Sequence, residues 1–222
     1  LMTSDDDELW TGTFTPNDDL DLGGDVDILT LHNTYKDSHG NTGVTAKLAF
    51  ILDTLPPTVK SISFSNHPMD GSDHPFGVGE NILIDVEFSQ VVVLSTTTAT
   101  ACTLSLNSGI GRTANYYGGD NSSTIQFLYN VDSHDDAYPL EVTDFNLDSG
   151  VTLKDLNGNT ANTSIIDVSQ MSGYAVDGVR PTVIISAKNN QGHDVTSGST
   201  TNDKEIVLEF TLSEATTNFV VG

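Results

Sequence analysis

The chain has 222 residues, and its 31 acidic against 8 basic side chains give a formal net charge of −23, the wrong sign for nucleic acid or an anionic membrane surface. At 36% hydrophobic it carries enough apolar mass for a packed core, too much for a disordered chain. Cys102 stands alone, so no intrachain disulfide forms, and no apolar run reaches the ~20 residues of a membrane helix.

Period-two alternation dominates the chain, and no window shows a helical period. Residues 10–15, 26–35 and 44–52 read as three strands, followed by a linker with Pro56 and Pro57. Strands are next expected at 59–65, 81–88, 102–106, 112–117, 124–131, 140–153 (interrupted) and 164–176. In the second of these, Ile82, Ile84, Val86 and Phe88 share one face while Leu83, Asp85 and Glu87 share the other. After Pro181, residues 182–187 and 205–212 read as two more strands. Turns are marked by Asp70-Gly71, Asn107-Ser108-Gly109, Gly118-Gly119-Asp120-Asn121 and Asn157-Gly158. Cys102, in the alternating stretch 101–106, reads as a small core residue.

The chain also repeats itself. Asp53-Thr54-Leu55-Pro56-Pro57-Thr58-Val59 returns as Asp177-Gly178-Val179-Arg180-Pro181-Thr182-Val183, at a spacing of 181 − 57 = 124. Phe88-Ser89-Gln90 returns as Leu212-Ser213-Glu214 at the same spacing. Lys36-Asp37-Ser38-His39-Gly40-Asn41-Thr42 is echoed by Lys154-Asp155-Leu156-Asn157-Gly158-Asn159-Thr160, at a shorter spacing of 155 − 37 = 118. A fixed period of this kind marks a tandem array. The expected division is 1–53, the C-terminal half of one repeat; 54–177, a complete repeat; and 178–222, the start of a third. Proline in both linkers fixes φ and restrains its predecessor, so stiff joints are expected.

Asp-x-x-x-Pro-Thr-Val, then Phe-Ser-Gln or Leu-Ser-Glu, then Lys-Asp-x-x-Gly-Asn, and then a new Asp-x-x-x-Pro: this order resembles the bacterial Ig-like (Big-type) repeats of large extracellular adhesins and biofilm surface proteins. The resemblance covers essentially the whole chain. It implies an all-β fold of tandem Ig-like β-sandwich repeats, one complete unit flanked by two partial ones. It also implies an extracellular or cell-surface setting and a spacer role, commonly with structural calcium (Ca2+) at the joints.

In an Ig-type sandwich the loop between the fifth and sixth strands lies where the chain leaves the unit, and that between the sixth and seventh lies where it enters. The first joint would then gather Asp18, Asp19 and Asp21 from the first unit, Asp53 in the linker, and Gln90, Asp155, Asn157 and Asn159 from the second. The second joint would gather Asp132, Asp135, Asp136, Asp177 and Glu214. Carboxylate, amide and backbone oxygens in Gly-bearing loops suit calcium, which takes six to eight oxygens. Asp-x-x-Gly-Asn is equally an ordinary tight-turn sequence, and that alternative stays open. Asp5-Asp6-Asp7-Glu8 reads as a solvated acidic run.

The six histidines, His32, His39, His67, His74, His134 and His193, are too scattered for a zinc site. No nucleophile elbow, phosphate loop or His-Glu-x-x-His is present, so no enzyme is expected. Asn121-Ser-Ser and Asn162-Thr-Ser fit the N-glycosylation pattern. Trp10, Tyr116 and Tyr117 offer a sugar-stacking surface, with core packing the competing use.

The leading expectation is therefore a spacer segment whose partners are neighbouring repeats. One alternative is an adhesive module that binds a cell-surface glycan or protein through the 107–121 hairpin. Because the partial units lack the middle hairpin, the chain reads as an excerpt of a longer protein. A filament subunit assembling by half-domain complementation is the other alternative.

Overall fold

The computed structural model describes residues 3–4, 9–18, 20, 27–65, 75–166, 169–170 and 173–220. The described residues are all-β, with no helix among them. In the first segment β1 (Thr3–Ser4) pairs with β2 (Trp10–Thr11), and β3 (Asp27–Leu31) pairs with β4 (Ala46–Phe50), both antiparallel. The central segment carries β5 (Val59–Phe64), β6 (Asn81–Leu94), β7 (Cys102–Leu106), β8 (Thr113–Gly118), β9 (Ser122–Asn130), β10 (Asp136–Ala137), β11 (Val142–Leu147), β12 (Leu153–Lys154), β13 (Ser169–Gln170) and β14 (Val176–Asp177). In the third segment β15 (Val183–Asn189) pairs with β16 (Ile206–Leu212).

Most of the central segment is one sheet, in the order β11-β7-β8-β9-β6-β5-β13, with β12 against the far end of β6. It folds over on itself. Phe145 of β11 meets Phe88 of β6 and Phe127 of β9 edge-on, with centroids 6.0 and 5.5 Å apart. The β11–β7 part of the sheet thus faces the β9–β6 part across one core, joined by β8, in a sandwich-like arrangement. Ile82, Ile84, Val86, Phe88, Leu104, Ile125 and Phe127 fill that core, each at most 1% exposed. Each such side chain stabilises the fold by about 1.5–3 kcal/mol relative to exposure. Cys102 is wholly buried here, and burial pushes its thiol pKa up to about 12.

The short strands β1 and β10 were not expected, the strand expected at 26–35 ends at Leu31, and three further differences are larger. β6 does not stop at Phe88 but runs to Leu94, because Val91-Val92-Val93-Leu94 continues the alternation and finds β12 as a new partner. Its register shifts between Glu87 and Val92, where β9 gives way. The expected strand 164–176 is present only as Ser169–Gln170 and Val176–Asp177, with residues 167–168 and 171–172 outside the described residues. In the first segment, the strand expected at 10–15 is reduced to Trp10–Thr11. The turn at Asp70-Gly71 lies outside the described residues.

Two hairpins of corresponding sequence begin their pairing alike. Val59 faces Phe88 across β5–β6, and Val183 faces Leu212 across β15–β16, both pairs displaced by the same 124 residues. A bulge between Val59 and Ser61 then offsets β5 by one residue, a feature the β15–β16 pair does not share.

Candidate functional site

Three turns share one backbone design. In the second, Asp155 Oδ1 accepts the backbone amides of Asn157 (2.9 Å) and Asn159 (2.8 Å), and Asn159 Nδ2 donates to Asp155 Oδ2 at 2.8 Å. Gly158 takes φ +97°, a conformation that disfavours any side chain. Asp37 repeats the pattern with His39 and Asn41, and Asn189 does so through its Oδ1 with Gln191 and His193. The side-chain hydrogen bond from Asn41, followed by backbone donors, holds the Asp37 pKa below its usual value.

At the first joint the turn at 155–159 faces the linker. Asn157 Nδ2 donates to Asp53 Oδ2 at 2.5 Å, and Asn159 Nδ2 reaches the Asp53 carbonyl oxygen at 3.1 Å. Asp53 Oδ1 accepts the Leu55 amide at 3.0 Å, which turns the linker toward its prolines. Gln90, at the middle of β6, donates to the Leu55 carbonyl oxygen at 2.7 Å. From the other side, Thr54 donates its hydroxyl to the Asn17 carbonyl oxygen and accepts the Leu20 amide, both at 2.9 Å. Three consecutive linker residues are thus held from both neighbouring segments.

Of the residues expected at this joint, Asp53, Gln90, Asp155, Asn157 and Asn159 lie together. Asp18 sits on the exposed loop beside Asn17, and Asp19 and Asp21 lie outside the described residues. The Thr54 contacts were not anticipated, although the loop that carries Asp18 was expected beside the linker. The donors meeting the linker carboxylate are amide N–H groups, and both Asp155 oxygens are engaged within its own turn.

The second joint is built differently. Asp135 is fully buried and forms an ion pair with Arg112 through Nε. Its Oδ2 accepts the Tyr129 hydroxyl at 2.5 Å and the Asp132 amide at 2.7 Å. Burial, and then the hydrogen bond to Asp135, pushes the Tyr129 pKa up to about 12. Ser108 lies 2.8 Å from the same phenol oxygen. Asp132 is exposed and 3.4 Å from Arg112 Nη1, while Asp136 pairs with Asp177 across β10–β14. Glu214 is exposed at the end of β16. Arg112, Tyr129 and Ser108 were missed as members of this group. The available signal was that Arg112 is one of only two arginines and occupies a turn.

Among the described residues, no group of three or more His, Cys, Asp or Glu side chains is placed to share a metal ion. Trp10 and Tyr117 are exposed, whereas Tyr116 is buried in the core, so the three aromatics do not form one surface. Asn121 and Asn162 are both exposed. Comparison with known proteins adds no relative: no family model, curated protein or solved structure matches the chain.

Proposed function

We propose that the chain is a spacer segment of an extracellular surface protein, built of tandem Ig-like repeats (1–53, 54–177 and 178–222) in the manner of Big-type adhesin repeats. The observation that carries this reading is the first joint, where Asp53, Thr54 and Leu55 are hydrogen-bonded from both sides. Each bond contributes only about 1 kcal/mol. Together with Pro56 and Pro57 they remove the linker's freedom to swing. Repeat proteins draw stability from such interfaces between neighbours.

Calcium takes carboxylate and amide oxygens, and at the first joint Asp53, Asn157 and Asn159 would hold it once the two amides turn their oxygens, in place of the N–H groups that now donate to Asp53, toward the ion. Thermal unfolding of the full chain in calcium and in excess EDTA tests this, because a ligand that binds only the folded state raises the midpoint. A rise of several degrees that Asp53→Ala reduces supports a calcium-stiffened first joint. Identical curves would leave the amide bonds and prolines as the stiffening elements.

A glycan- or protein-binding role draws less support, because Tyr117 is the one exposed aromatic described in the 107–121 hairpin. Half-domain complementation draws more. The β15–β16 pair leaves Val183 46%, Ile185 60% and Leu208 54% exposed, while β5–β6 buries the corresponding face. Light scattering of the full chain that shows a regular, lengthening polymer would favour that second reading.

A further inference from the structure

Gly178 is the repeat equivalent of Thr54, yet it is held in another way. Its amide donates to the Asp135 carbonyl oxygen at 2.6 Å, and its carbonyl oxygen accepts the His134 amide at 3.0 Å. The fit is close. A Cβ on Gly178 would lie 2.3 Å from the Asp132 carbonyl oxygen and 3.0 Å from both the nitrogen and the carbonyl oxygen of Asp135. His134 takes φ +72° to complete this seat, a conformation that costs free energy for any residue with a side chain.

The contacts of the loop around Asp135 offset that cost. The loop 132–136 closes around the Asp135 carboxylate, which is bound by Arg112, Tyr129 and the Asp132 amide. Arg112 also donates to the Ser133 carbonyl oxygen at 3.3 Å, and the Asp136 amide donates to the Ser108 carbonyl oxygen at 2.9 Å. The β7–β8 turn therefore grips the loop at both ends. A buried ion pair is little screened by salt, and losing one partner leaves the other charge stranded.

We propose that residues 132–136 form a clasp that fixes the direction in which the chain leaves the central segment, with Arg112 as its positioning residue. Thr54 supplies a side chain to the loop beside it. Gly178 gives up its side chain so that a charge-supported loop can close over its backbone. The order of this joint then comes from the chain's own ion pair and needs no bound cation. This holds whether or not the protein acts as a spacer.

Hydrogen exchange of the full chain, read by NMR at the Gly178 and His134 amides, tests the clasp. Wild type is expected to protect both amides equally in calcium and in excess EDTA. The double variant Arg112→Met with Asp135→Asn removes both charges, so no carboxylate is left stranded. It is expected to exchange both amides at least about tenfold faster while Ile84 and Val86 in β6 keep their wild-type rates. Gly178→Ala is expected to expose the His134 amide to the same degree with the ion pair intact. Wild-type rates at both amides in the double variant would overturn the proposal. So would a loss shared equally by Ile84 and Val86, or wild-type protection that disappears without calcium.

Discussion

Asn157 and Asp53 are 104 positions apart in the chain, and the side-chain amide of one donates to the carboxylate of the other at 2.5 Å. A tight turn that would otherwise only reverse the chain is thereby tied to the linker in front of its own segment. Asn157→Ala and Asp53→Ala are each expected to lower stability by about 1 kcal/mol. In a double-mutant cycle on the full chain the two losses should fail to add, with a coupling of ~0.5 kcal/mol or more. Additive losses would mean that the bond contributes nothing to the joint.

Gln90 makes a related prediction, because only its amide nitrogen can donate to the Leu55 carbonyl oxygen. Gln90→Glu replaces that donor with an acceptor and sets a negative charge against a carbonyl. A loss of about 1–2 kcal/mol is expected at neutral pH. Glu214 already occupies the equivalent position in the third segment. Denaturant unfolding that shows no loss for the variant would rule out this bond as a support of the joint.

The turns were legible in the sequence and their second use was only partly so. Asp-x-x-Gly-Asn announces its own turn because every partner lies within five residues. The alternation of β5, β6, β7 and β9 was equally readable, since it depends on which face meets the core. Other features depend on partners far along the chain. The extension of β6 to Leu94 needs Leu153 and Lys154, and the closure of the sheet needs Phe145 to reach Phe88 and Phe127. Asp135 was expected as an oxygen ligand at the second joint, and its partner is instead Arg112, 23 positions earlier (135 − 112 = 23). Sequence spacing carries no trace of such a contact.

Phe145 makes both edge-on ring contacts across the closed sheet. Phe145→Ala is expected to cost about 3–5 kcal/mol through lost burial and the cavity left between the two facing parts of the sheet. Phe145→Leu, which keeps most of the volume but loses both edge-on contacts, should cost about 1–2 kcal/mol. Equal losses for the two variants would show that aromatic geometry, rather than volume, decides the packing.

The pH dependence has a definite sign. Glu87 has its pKa lowered from 4.5, first by the hydrogen bond from Lys60 and then by that from Ser61. Asp37 is lowered from 3.8 by Asn41. A group whose folded pKa is depressed contributes stability that is present above its unfolded pKa and lost as pH falls through the folded one. Both contributions should therefore be intact at neutral pH and disappear in acid, below 4.5 for Glu87 and below 3.8 for Asp37. Carboxyl NMR titration should place each group below those values, and Asn41→Ala should return Asp37 toward 3.8. A titration of Asp37 that Asn41→Ala leaves unmoved would contradict the assigned cause.

Hydrogen bonds between the linker and Asn17, Gln90 and Asn157 hold the neighbouring segments in a fixed relation across the first joint. The most direct measurement is the distance distribution between spin labels at two exposed positions on either side of it, Thr45 and Thr97, in the full chain. The account predicts a single narrow distribution, broadened when Asp53→Ala and Gln90→Ala are combined. A broad wild-type distribution that the two substitutions leave unchanged would contradict it, for the linker would then be a tether rather than a joint.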